Sequence, residues 1–260
     1  MLKSIFGSWI YLVWYLCHLV ILGILTEGGI VPMYIMLLII AFLPIPESLW
    51  RWVSGVRPLR LMSEKERLIP LYEEVYNAYI EKEEKISHTR KVKLYIQESM
   101  NINAFAFGRE TLVLTKGSID LLNDNDIKGL MAHELAHFHN YDTTGALFAY
   151  IANLPFTFMM RKLRQIDSKL GNGFVRFVFS VIFAYFRFFE FVGDLILMYH
   201  TRSQEYNADT LALKWGYGEE LAGVLIQIYQ ISLEKPKSIG DMIRSTHPPI
   251  TKRIEQLESF

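Results

Sequence analysis

The stretch Met131-Ala132-His133-Glu134-Leu135-Ala136-His137 combines residue types and a spacing that could do chemistry. On a helix, side chains four apart stand one turn above each other on the same face. His133 and His137 can therefore aim two imidazoles at one cation. Glu134, one step further round, is close enough to hold and deprotonate a water on that cation. Two imidazoles with a carboxylate set between them suit zinc and a hydrolytic water. A charged helix face that happens to carry two histidines would be written with the same letters, so the surroundings decide.

A catalytic zinc takes three protein ligands and keeps one position open. Thr201-Arg202-Ser203-Gln204-Glu205-Tyr206-Asn207-Ala208-Asp209 offers the third. Glu205 is a natural ligand, expected on a later helix, and Asp209 lies one turn further along the same face. From there Asp209 can accept the free ring N–H of a ligand histidine, fixing its tautomer and raising its basicity. Glu and Asp at this spacing occur in many helices, and their weight here comes from following the two-histidine motif. His139 has no ligand spacing with the others and reads as structural or surface; His18 and His200 read as non-ligands.

The elements that must position these residues follow from patterning. Ser63-Glu64-Lys65-Glu66 has the form of a capping box, opening a helix to about Ile86 with Leu68, Leu71, Tyr72, Val75, Tyr79 and Ile86 as its apolar stripe. Pro70 sits inside it and is a candidate kink. Lys91 to Gln97 alternates, with Val92, Leu94 and Ile96 on one side, as a half-buried strand does. Asn103–Phe107 and Thr111–Thr115 flank Gly108-Arg109-Glu110 and read as a β-hairpin. Asn123-Asp124-Asn125-Asp126 supplies N-cap candidates for the histidine helix. The expectation is a mostly α fold with a small antiparallel β-sheet.

Composition adds a membrane. The 260 residues are 51% hydrophobic and 14% aromatic, with the excess gathered in blocks. Lys+Arg and Asp+Glu balance at 27 each, so no global field argues for nucleic acid. The single Cys17 excludes a disulfide scaffold and a cysteine-rich zinc site. Ile5 to Leu25 carries no formal charge apart from His18, and at about 1.5 Å per residue it spans a hydrocarbon core of roughly 30 Å. It lacks the short core and small-x-small site of a cleaved signal. Glu27-Gly28-Gly29 makes a turn, and Ile30 to Ile45 returns as the second leg of a hairpin. Trp9, Trp14, Trp50 and Trp52 include interfacial anchors. Lys3 before the first leg, with Arg51, Arg57 and Arg60 after the second, puts the N-terminus and the rest of the chain in the cytoplasm.

Two further apolar blocks, Gly145 to Met160 and Phe174 to Tyr199, lie between the two ligand stretches. Arg187, Glu190 and Asp194 recur at helical spacing in the second. They form either a polar wall near the site or a paired structural cluster. The Arg161–Lys169 link is basic, so the blocks either cross the membrane against the charge rule or pack on its surface. This divides the chain into a hairpin at residues 1–60 and a domain at 61–260 with an apolar insertion at 145–200.

Four stretches carry a family resemblance: Asn103-Ala104-Phe105-Ala106-Phe107-Gly108, the His133–His137 helix, Arg202–Asp209, and Ser245-Thr246-His247-Pro248-Pro249 with Arg253 after it. With the hairpin and the insertion, the chain resembles the membrane-anchored zinc metallopeptidases of the HtpX type. These are relatives of the CAAX prenyl proteases within the glutamate-liganded zincins. The resemblance implies an α+β zincin-like fold, one zinc per chain on His133, His137 and Glu205, and Glu134 as general base. It makes Asp209 the support of a ligand histidine and puts Asn103 beside the cleft on substrate backbone. His247 would donate to the oxyanion, although before two prolines it also reads as part of a rigid turn.

The mechanism implied is direct attack by an activated water, with no covalent intermediate and no Ser or Cys nucleophile. The strand through Leu112, Val113 and Leu114 is expected as an edge that takes an extended peptide by strand addition. The substrate would be unfolded or membrane-adjacent polypeptide, cut at the cytoplasmic face of the cell membrane in membrane protein quality control. Nothing in the spacing implies a particular oligomeric state. Two rivals remain at this stage: a specific processing protease of the CAAX type, and a non-enzymatic membrane adaptor whose zinc is structural.

Overall fold

A computed structural model describes residues 31–40, 45–83, 91–143, 173–233 and 248–259, with isolated positions at 17, 20, 23, 24, 161, 164 and 165. In chain order the elements are α1 (Val31–Ile40), α2 (Ile45–Val53), β1 (Val56–Pro58), α3 (Met62–Lys82), β2 (Lys93–Gln97), β3 (Ala104–Phe107), β4 (Thr111–Thr115), α4 (Lys116–Leu121), α5 (Asp124–His139), α6 (Phe174–Trp215), α7 (Gly218–Leu233) and α8 (Ile250–Glu258). The mostly helical expectation holds.

The strands form one four-stranded sheet in the order β1-β2-β4-β3. The expected hairpin is present, with Ala104 opposite Leu114 and Phe107 opposite Thr111. The sheet is mixed, however, and not antiparallel, because β2 pairs with β4 in parallel, Lys93 to Thr111 through Gln97 to Thr115. The physical reason lies in β4, where every residue from Thr111 to Thr115 is buried. A strand buried along its whole length, with an unbroken apolar run at Leu112–Leu114, suits an interior position, so the chain leaves β2, passes to the outside as β3 and turns back to lay β4 between them. β1 completes the other edge by pairing antiparallel with β2. Val56–Pro58, expected in the N-terminal hairpin region, therefore belongs to this sheet.

α3 buries Leu68, Tyr72, Val75 and Tyr79 as its stripe requires. Each such side chain contributes about 1.5–3 kcal/mol on leaving water. The helix begins ahead of the expected Ser63 box, with Leu61 as the N-cap and Glu64 accepting its backbone N–H at 3.2 Å. α5 is capped by Asn123, whose Oδ1 accepts from Asp126 N at 2.9 Å. It runs through the core with Ile127, Met131, Ala132, Leu135 and Ala136 fully buried. Gly129 lets α7 come close, since a Cβ there would stand 2.5 Å from Leu221 N.

α6 is a single helix of 42 residues, roughly 63 Å at 1.5 Å per residue. Glu205 is thus on a later helix than His133 and His137, as expected, and that helix is continuous with the Phe174–Tyr199 block. Among the described residues no helix is long and apolar enough to cross a membrane. The Ile5–Leu25 run, the Glu27–Gly29 turn and Gly145–Met160 lie outside the described residues, save for isolated positions of the first. Of the second expected leg, α1 describes ten residues. The side chains of Glu190 and Asp194 are likewise outside, while Arg187 is exposed.

Candidate metal centre

α5, α6 and α8 converge on one buried spot. One turn apart on α5, His133 and His137 bring their Nε2 atoms to 3.2 Å. From α6, Glu205 sets Oε2 3.4 Å from His133 Nε2 and Oε1 3.6 Å from His137 Nε2. A donor atom from each of the three lies within 4.8 Å of the others. A tetrahedral zinc with arms of about 2.0–2.1 Å has donor–donor edges of roughly 3.3 Å, close to these separations. Glu205 is 3% exposed and His133 5%. Two imidazoles and a carboxylate this deep are an N,N,O donor set suited to zinc.

Each imidazole is also held from behind. His133 Nδ1 is 3.0 Å from Asp209 Oδ1. Arg253 of α8 donates Nη2 to Asp209 Oδ1 at 2.7 Å and Nε to Oδ2 at 2.8 Å, and its Nη1 lies 3.1 Å from Glu205 Oε2. Burial and the Arg253 charge oppose protonation of His133, yet hydrogen bonds to Asp209 and Glu205 outweigh them and hold its pKa up at about 10. Burial works against ionised Asp209, but hydrogen bonds from Arg253 and His133 keep its carboxyl below the usual range. Arg253 is likewise disfavoured by burial and held charged by Asp209, with the charges of Glu205 and Glu134 adding to it.

His137 has a support the sequence reading missed. Its Nδ1 is 3.1 Å from Asp142 Oδ2, and Gln204 Nε2 donates to Asp142 Oδ1 at 2.7 Å. Asp142 lies past the end of α5, outside helical spacing, and is brought back by a turn in which Tyr141 takes φ 60°. The available signal was a carboxylate just beyond a ligand helix, within reach of its last turn. Arg253 was noted only as part of a motif, and its grip on Asp209 and Glu205 appears once α8 is placed.

The remaining expected residues divide. Glu134 is buried on α5 between the two histidines. His139 turns away, with Nδ1 3.5 Å from the Tyr79 hydroxyl and Nε2 3.8 Å from Glu83, and burial lowers its pKa. Asn103 is exposed at the head of β3, its backbone N–H donating to Ser118 Oγ at 2.8 Å. Leu112, Val113 and Leu114 are fully buried, and β4 has both backbone edges taken by β2 and β3. They cannot receive a peptide by strand addition. The outer strand on this side is β3, and it packs against α5. His247 lies outside the described residues.

The profile of peptidase family M48 matches residues 67–260. A protease HtpX homolog of Aquifex aeolicus is 27% identical, covering 88% of this chain and 84% of its own length. One from Dictyoglomus turgidum is 28% identical over 64% of this chain. That match spans 62% of the relative's own length, just under two thirds. The crystal structure of S. mikatae Ste24p superposes with a TM-score of 0.57 at 17% identity, covering 99% of this chain and 64% of the other. The last likeness is one of fold.

Proposed function

Because the chain belongs to peptidase family M48 and is HtpX-like, we propose that it is a membrane-anchored zinc metalloendopeptidase. The observation that carries the reading is the cluster of His133, His137 and Glu205 donor atoms with the separations of a tetrahedral site. Bound by these three, zinc supplies a Lewis acid that polarises the scissile carbonyl and acidifies water. Glu134 takes the proton of the attacking water and passes it to the leaving amine. Asp209 and Asp142 hold the two imidazoles with Nδ1 as donor, so that each Nε2 keeps its lone pair for the cation. His247 donates to the developing oxyanion.

An extended peptide adds to the outer edge of β3, beside Asn103, where affinity comes from main-chain hydrogen bonds and side-chain preference is loose. The substrates are unfolded or membrane-adjacent polypeptides. The Ile5–Leu25 run supplies the anchor, and the domain that follows, with α2 and β1 joined to its sheet, is the peptidase on the cytoplasmic face, in a role in membrane protein quality control. The test is Glu134→Gln in the full chain. Metal analysis should find about one zinc in both forms, while cleavage of casein falls by about 10²–10⁴-fold in the variant. Equal turnover by the two forms would reject Glu134 as the base, and zinc-loaded protein inert in both would favour a structural metal in an adaptor.

A further inference from the structure

The turn between β3 and β4 is gripped from outside the sheet by the helix that follows the N-terminal apolar run. Glu47 of α2 is 4% exposed. Its Oε2 accepts from Arg109 N at 3.0 Å, and its Oε1 from Glu110 N at 3.2 Å and the Thr111 hydroxyl at 2.5 Å. Arg51, one helical turn on, donates to Thr111 Oγ1 at 2.7 Å and lies 3.4 Å from the same Glu47 oxygen. The fit leaves no room beneath the turn. A Cβ on Gly108, which has φ +63°, would stand 2.5 Å from Glu47 Cδ. On its other side the Gly108 carbonyl accepts from Thr143 Oγ1 at 2.6 Å, one residue past the Asp142 that supports His137.

The same helix covers one face of β3. Trp50 stacks on Phe107 with ring centroids 4.0 Å apart and meets Phe105 edge-on at 5.6 Å. Phe105 and Phe107 share a face because strand side chains alternate. The opposite face carries Ala104, a member of the core cluster that includes α5 residues, and Ala106, half-buried against it. β3 is therefore pinned three ways: by α5 beneath, by Trp50 above, and by a carboxylate at its end. β4 holds its inner edge, and no described strand pairs with its outer edge. A buried carboxylate is costly unless its hydrogen bonds are met, and those of Glu47 are met mostly by this one turn.

We propose that α2 sets the position of β3 as a peptide-receiving strand, with Glu47 as the positioning residue. The segment after the apolar run thereby takes part in substrate binding without touching substrate. This rests on the reading that peptide adds to β3. It differs from a purely structural cap in a specific way: loosening the brace should weaken peptide binding while leaving metal and chemistry in place.

The test uses the full chain in lipid nanodiscs, as wild type, Glu47→Gln and Trp50→Leu, the last removing the stacking without touching a buried charge. Hydrogen exchange of residues 104–111 should speed up by about tenfold or more in Glu47→Gln, the loss expected when hydrogen bonds to a charged group are weakened. Trp50→Leu should move the same way by less. Exchange in residues 124–139 and zinc content should stay as in wild type. With an unstructured fluorogenic peptide, KM should rise by a similar factor while kcat changes less than about threefold. Unchanged exchange at 104–111 in both variants would overturn the proposal, as would loosened exchange with KM unmoved. If Glu47→Gln fails to fold, Trp50→Leu decides by the same two readouts. A wild type that cleaves nothing would defeat the peptidase reading, and the exchange measurement would still decide whether α2 holds β3.

Discussion

The two histidines of α5 are supported by carboxylates at almost the same distance, 3.0 Å for His133 and 3.1 Å for His137, yet in different settings. Behind His133 stands Asp209, with no exposed side-chain surface, gripped at both oxygens by Arg253. Behind His137 stands Asp142, 12% exposed, sharing its other oxygen with the neutral amide of Gln204. The first support is a buried ion pair tying α5, α6 and α8 together. The second is a local hydrogen bond between the end of α5 and α6. Equal geometry therefore hides unequal consequence: Asp209 should matter to the fold and to the metal, Asp142 to the metal alone.

Asp209→Asn is the strongest way to break that comparison. It leaves the Arg253 guanidinium buried with its main anionic partner gone, and losing one member of a buried pair costs about 3–5 kcal/mol. Chemical denaturation of the metal-free full chain should read a loss of that order. Metal titration should show affinity weakened by about 10–100-fold, the usual effect of removing a carboxylate behind a ligand histidine. A variant as stable as wild type would mean that the contact with Glu205 alone keeps Arg253 satisfied.

How far the sequence reached follows the same divide between local and distant partners. His133, Glu134 and His137 were legible because their relation is carried by one helix turn. The β3–β4 hairpin was legible because its strands are joined by a short turn. The neighbour of β4 was not, since pairing with β2 depends on a crossover that no local pattern encodes. The unbroken apolar run Leu112–Leu114 was the available sign of an interior strand, and taking the strand as an edge misassigned Leu112, Val113 and Leu114. Glu205 was legible as a ligand on a later helix, but the continuity of that helix with the Phe174–Tyr199 block was not drawn. Between Phe174 and Trp215 there is no proline, so nothing stops the helix after Tyr199. Asp142 escaped because a left-handed residue, Tyr141, brings it back toward His137.

Asp142→Asn sharpens the comparison from the other side. With a partly exposed carboxylate and no buried cation behind it, the amide should weaken metal affinity by about tenfold. Stability of the metal-free chain should change by less than about 1 kcal/mol, as for most substitutions outside the core. The same titration and denaturation experiments read both quantities. Should Asp142→Asn destabilise the metal-free chain as much as Asp209→Asn, depth and charge behind the carboxylate would not be what separates the two supports.

A buried carboxylate with no part in the centre, Glu64 at the start of α3, tests the comparison from outside it. Arg57 donates to both its oxygens, at 2.7 and 3.0 Å, and the backbone N–H groups of Arg60 and Leu61 add to them. The Arg57 hydrogen bonds, more than the opposing burial, pull its pKa down to about 2 from 4.5. Between those values the folded chain binds the proton less readily than the unfolded one. The stabilisation is then full above about pH 4.5 and is lost as pH falls toward 2. Melting curves of wild type and Glu64→Gln should differ by a constant amount from neutral pH to about 5 and converge below it. A chelator should leave that difference unchanged, whereas it should change the one between wild type and Asp209→Asn. A chelator-sensitive Glu64 difference would mean that the metal centre reaches through the core as far as the start of α3, and that Asp209 is no longer distinguished by the ligand it supports.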